Sequence, residues 1–204
     1  MSKKAKKWSA ADGLFSHNPV FAAGMCLAPA IIATTTIYGA AVYCAVFSAV
    51  TLTALMICSF LPRKLPYALR IVLYTITAAA VYVPFRIFFD GQFDYDLSKL
   101  GVLLPMIVSG EFITSAAELR FFRLEKGRMI IDVISHIAGV CIAMLLLGFV
   151  RELFSTGGIN GELYGVGFTV PVLGAPCGGF ILIGFTGAFI RLFRKKRTAA
   201  SGKE

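Results

Sequence analysis

Charge is what this chain has least of. Only 15% of its 204 residues are Asp, Glu, Lys or Arg, against about a quarter in a soluble domain. From Asn18 to Pro62 there is none at all. That stretch is more than twice the ~20 residues a bilayer crossing needs. With 57% hydrophobic residues and a mean hydropathy of +0.78, the chain is excluded from the soluble class and reads as an integral membrane protein. It also lacks a glycine-rich phosphate loop, a nucleophile elbow, a zinc motif and any polar region large enough for a nucleotide-binding domain. Whatever it does, it does as a membrane piece. No Cys-x-x-Cys spacing occurs, and the five cysteines, an odd number, all lie in apolar segments, which argues against a disulfide framework. The basic start, Lys3, Lys4, Lys6 and Lys7, leads into polar residues up to His17 rather than a short apolar core. A cleavable signal peptide is therefore not expected.

What is present is a series of apolar runs punctuated by charge. Six transmembrane helices are expected, at about 18–37, 40–61, 67–89, 97–118, 129–154 and 180–192, with Tyr38-Gly39 as the first turn and basic tails at 1–17 and 193–204. Arg70 and Arg86 stand near the two ends of the third span, where long side chains reach the interfaces. The next loop is acidic, with Asp90, Asp94 and Asp96; Arg120, Arg123, Lys126 and Arg128 make a later one basic. A net charge of +9 gathered at helix ends points to orientation and lipid headgroups rather than nucleic acid. With both termini cytoplasmic, 17 of the 20 Lys and Arg fall inside, so an N-in and C-in topology is expected.

The first and fourth spans each carry an interruption near the middle. Asn18 is a good helix cap and Pro19 suits the first helical position, yet Gly24 and Pro29 follow at once. Pro105 and Gly110 repeat the arrangement. A simple proline kink is the plainer reading of the first. Because each half holds an odd number of spans, three, the halves, about 18–89 and 97–192, run oppositely through the membrane. Two inverted three-helix repeats place a site where the broken helices meet near the midplane.

Few residues there carry chemistry. Glu111 stands near the middle of the fourth span, where a carboxylate costs at least ~2.5 kcal/mol to insert, so it is expected to be protonated, paired, or facing water or an ion such as Na+ or H+. Asp132 and His136, four apart, share a helix face and read as an interhelical polar pair more readily than as a proton relay. Arg151 and Glu152 read as an interfacial ion pair or loop clamp. Cys26 lies at the first break, whereas Cys44, Cys58, Cys141 and Cys177 read as small buried hydrophobes.

Four motifs in order carry a family resemblance. Asn18-Pro19 with Gly24-Met25-Cys26-Leu27-Ala28-Pro29-Ala30, then Leu104-Pro105-Met106-Ile107-Val108-Ser109, then Gly148-Phe149-Val150-Arg151-Glu152-Leu153, and Gly174-Ala175-Pro176-Cys177-Gly178-Gly179-Phe180 resemble the Rnf/Nqr membrane subunits. The likeness is greatest to the E-type subunit of Rnf and the D-type subunit of Nqr. It implies a non-catalytic subunit of a redox-driven translocase in a bacterial plasma membrane, passing electrons between ferredoxin and NAD or from NADH to quinone while moving sodium or protons. It further implies an oppositely oriented sister subunit and an iron–sulfur cluster, of 2Fe-2S type, shared across the pair through two cysteines from each. Cys26 matches the first such position. The second holds Glu111, after Gly110. Either Glu111 is an unusual ligand, harder than thiolate, or the cluster is lost and the carboxylate serves a cation or proton. The alternative outside redox chemistry is an inverted-repeat transporter or channel component using Glu111.

Overall fold

The computed structural model describes residues 18–62, 64–93, 97–159, 162–163 and 169–201. The expectations placed on the 1–17 tail and on Asp94 and Asp96 lie outside the described residues.

The Asn18 side-chain oxygen accepts from the amides of Val20 and Phe21 at 3.0 and 3.3 Å, starting a π-helical turn over Pro19–Ala23. That turn ends at Gly24 in the left-handed region, φ +71°. Cys26 is left-handed as well, at φ +59°, and only then does α1 (Leu27–Ile32) begin. The break thus lies at 24–26, earlier than Pro29. Pro29 occupies the third position of α1, where a helix has no use for the missing amide hydrogen. The first turn is also displaced. The chain reverses through a 3₁₀ turn at Ala33–Thr35, and the Thr36 hydroxyl accepts the Gly39 amide at 3.1 Å to cap α2 (Ile37–Cys58). Tyr38 and Gly39, expected as the turn, belong to the first turn of α2, because Thr36 supplies the side-chain acceptor a helix start requires.

α3 (Tyr67–Phe89) follows. The fourth expected span is a chain of short turns rather than one helix with one break: 3₁₀ segments at Leu97–Leu103 and Pro105–Ile107, a non-helical residue at Gly110, and a π turn at Phe112–Ala116 that runs into α4 (Ala117–Leu119). Gly101, at φ +47°, bends the first of these. α5 (Lys126–Thr156) exceeds its expected length at both ends and stops at left-handed Gly157. A minimal hairpin of β1 (Gly158–Ile159) and β2 (Glu162–Leu163) and a 3₁₀ turn at Pro171–Leu173 lead to α6 (Pro176–Ser201), which starts before Phe180 and continues through the region expected as a tail.

Among the described residues, four segments are long and apolar enough to cross a membrane: α2, α3, 97–116 and α5; Pro176–Leu192 is a shorter apolar stretch. α2 lies between α3 and α5. Its apolar window is 56% buried, whereas that of α3 is 17% buried and exposes Leu69, Val72, Ile76, Val83 and Ile87. α3 therefore presents the apolar exterior of a membrane protein and α2 forms the centre. From that centre Tyr43, Phe47, Phe112, Phe121 and His136 make a continuous aromatic ladder, each ring 5.4 to 6.0 Å from the next. The ladder fastens the second interruption to α2 and α5.

Candidate functional site

The two interruptions open onto one cavity of about 280 Å³. Gly24, Cys26, Leu27, Ala28 and Pro29 line it from the first, and Met106, Ile107, Ser109, Gly110, Glu111 and Phe112 from the second. Tyr43 and Phe47 of α2 complete the wall. Both sides are shaped by backbone that has left the helix, the setting in which membrane proteins place polar sites.

Glu111, expected to be protonated, paired, or facing water or an ion, is exposed in the structure and makes no hydrogen bond or ion pair among the described residues. The Gly110 carbonyl, a candidate oxygen for an ion, is already engaged by the Ile113 and Thr114 amides at 3.1 and 3.2 Å and by the Thr114 hydroxyl at 3.1 Å. Pro105 begins its 3₁₀ turn and is exposed. Cys26 is half-buried.

An iron–sulfur cluster takes about four ligands, mostly thiolates. The cavity offers one thiol, Cys26, and one carboxylate, Glu111, and the described residues contain no group of three or more His, Cys, Asp and Glu placed to hold a metal. The donor set of this chain by itself does not fit such a cluster.

The strongest polar construction lies beside the first interruption. Arg151 of α5 is fully buried. Its Nη1 donates to the Ile31 carbonyl and, at 2.8 Å, to the Thr34 hydroxyl. Nε donates to the Leu173 carbonyl at 2.9 Å, and Nη2 to the Gly174 and Ala175 carbonyls at 3.1 Å each. One planar donor fork thereby joins the end of α1 to the turn before α6. Glu152 turns the other way and accepts the Ile37 amide. The two residues act as clamps on separate segments.

The Gly178-Gly179 pair permits this arrangement. A Cβ at Gly178 would come within 2.4 Å of the Val172 carbonyl oxygen, and one at Gly179 within 3.3 Å of the Arg151 guanidinium. The run of small residues after Pro176 was the available sequence signal, but nothing in it names Arg151. Sequence also missed that the Asn18 amide donates to the Gly139 carbonyl at 2.8 Å, tying the first turn to α5.

Asp132 and His136 line another part of the protein. Both carboxylate oxygens of fully buried Asp132 accept from Arg120, at 2.6 and 2.8 Å. His136 Nδ1 lies 2.7 Å from the Asp132 backbone oxygen and 3.7 Å from its carboxylate. Arg120, expected as part of a basic loop, is thus the partner Asp132 uses. Nearby, Glu118 accepts from Arg70 at 3.0 Å and from the Tyr74 hydroxyl. Neither group lines the cavity.

Comparison with known proteins agrees with the family resemblance. The family described as Rnf-Nqr subunit, membrane protein, matches residues 7–187. The E-type subunit of the proton-translocating ferredoxin:NAD(+) oxidoreductase complex of Clostridium ljungdahlii is 24% identical over 90% of this chain and 87% of its own length. The D-type subunit of the Na(+)-translocating NADH-quinone reductase is 27% identical in both Shewanella putrefaciens and Shewanella oneidensis, over 93% of each chain.

Proposed function

This chain belongs to the Rnf-Nqr family of membrane subunits, and from that premise we propose that it is a non-catalytic subunit of an ion-translocating electron-transfer complex in a bacterial plasma membrane. It crosses as an inverted repeat with both termini cytoplasmic, and packs against an oppositely oriented sister subunit. One observation carries the site: both interruptions open onto a single cavity that bears an exposed carboxylate with no ion-pair partner among the described residues.

An exposed carboxylate at membrane depth is costly unless a proton, a cation or a partner's polar group compensates it. Glu111 is accordingly the group that takes up Na+ or H+ during coupling. Its position in the mouth of the cavity lets it exchange that cation when the partner face moves. The electron path then runs through other subunits.

A second reading is favoured by Cys26, which lines the same cavity. Here the chain contributes the thiol and carboxylate as half of a ligand set that the sister subunit completes. Redox-free transport on the same fold is the remaining alternative.

Isolation of the chain from its native membranes, followed by iron analysis and electron paramagnetic resonance, separates these. Flavin- and ferredoxin-type subunits are expected to co-purify, without iron that depends on this chain. Iron that disappears on Cys26→Ser establishes the shared cluster instead. In proteoliposomes of the complex, Glu111→Gln is expected to abolish redox-driven ion uptake; unchanged uptake removes Glu111 from coupling. A chain that purifies without redox partners and still moves ions supports the transporter reading.

A further inference from the structure

Outside the cavity, two thiols meet between the central helices. Cys44 of α2 donates its S–H to the Cys141 carbonyl, and Cys141 of α5 donates to the Cys44 carbonyl, each at 3.9 Å. The reciprocity means that both side chains occupy the same gap between the helices. The helices stay close because Gly148, two turns along α5, sits against Ile37 and Ala40: a Cβ there would lie 3.3 Å from each. Neither thiol lines the cavity or serves the Arg151 clamp.

We propose that Cys44 and Cys141 form a reversible dithiol–disulfide site linking α2 to α5. Rotation of each side chain from the opposing carbonyl toward the opposing sulfur brings the thiols together, without separating the helices. Cys141 is the more accessible member and Cys44 is buried, so Cys141 meets the oxidant first and Cys44 closes the bond. Both lie within apolar helices, which selects a bilayer-soluble two-electron acceptor of the quinone class. The two S–H bonds break, the Sγ–Sγ bond forms, and two electrons with two protons reduce the quinone to hydroquinone. Paired thiols that cycle in this way act as redox sensors in compartments where structural disulfides are rare. The bond would join the helix after the first interruption to the long helix after the second, locking the two halves together. This does not depend on the function proposed for Glu111.

The test uses the full chain in lipid nanodiscs. It is incubated with duroquinone, treated with N-ethylmaleimide under denaturing conditions, digested and analysed by mass spectrometry. The expected product is one linked peptide pair joining Cys44 to Cys141, with maleimide labelling lost from both together and restored by dithiothreitol. Cys141→Ser is expected to remove the pair and return Cys44 to full labelling. Full labelling of both cysteines after quinone, or links that join Cys26, Cys58 or Cys177 instead, overturns the proposal. The unsubstituted chain carries the primary readout, so a folding defect in the variant does not obscure it.

Discussion

The Glu152 carboxylate accepts the backbone amide of Ile37 at 2.7 Å across 115 residues of sequence. Negative charge is thereby held at the N-terminus of α2, where the helix dipole is positive. Glu152→Gln preserves an acceptor and loses the charge, so it is expected to destabilise the chain by about 0.5–1 kcal/mol. Glu152→Ala leaves the amide unpaired and is expected to lose about 1–3 kcal/mol. Thermal unfolding of the two variants in one detergent checks the order; a Gln variant as stable as the parent would show that the charge is irrelevant there.

Arg151 satisfies four carbonyls and a hydroxyl on two separate segments. Arg151→Met strands those acceptors in a buried site, with an expected loss of about 3 kcal/mol or more. Arg151→Lys retains charge without the planar fork and is expected to recover only part of it. Limited proteolysis between α5 and α6, together with thermal unfolding, reads both; a Lys variant as stable as the parent would contradict the fork argument.

Gly178 has no room for a methyl group beside the Val172 carbonyl, whereas at Gly184, on the same helix, a Cβ meets nothing within 4 Å. Gly178→Ala is expected to displace the turn before α6 and to lower stability by about 1–3 kcal/mol, in the range of overpacking. Gly184→Ala is expected to be neutral or slightly stabilising through helix propensity. The comparison is made by yield and melting temperature of the purified chains.

Arg120 and Asp132 form a two-bond pair in which the carboxylate is wholly buried and the guanidinium side chain is 30% exposed. Asp132→Asn is expected to lose about 1.5–3 kcal/mol, as for hydrogen bonds to charged groups. A double-mutant cycle with Arg120→Gln should return a coupling energy of about 0.5–3 kcal/mol. His136→Gln should couple to Asp132 more weakly, because the ring nitrogen is nearer the Asp132 backbone oxygen than its carboxylate.

Much of the site was legible because its causes are local. Asn18, Pro19 and Gly24 specify a helix start and an early stop from their own backbone preferences, whatever surrounds them. Gly110 marked the second interruption in the same way. The first interruption, expected across Gly24 to Pro29, narrows to 24–26 in the structure. A proline inside an apolar run suggests a break, but at the third helical position it causes none, and only the observed helix start reveals that Pro29 stands there. Likewise Tyr38-Gly39 carried turn composition, while the Thr36 hydroxyl decided where α2 begins.

By itself, the sequence determined the membrane class, the apolar segments, the two interruptions and the family motifs, because composition, capping and chain stiffness act over a few residues. Tertiary structure decided which distant groups meet: that Cys26 and Glu111 share a cavity, that Glu111 is exposed there, that Arg151 joins α1 to the turn before α6, and that Cys44 faces Cys141. Inside an apolar span a polar side chain must find its partner within the protein, and that partner is set by how helices pack rather than by its neighbours along the chain.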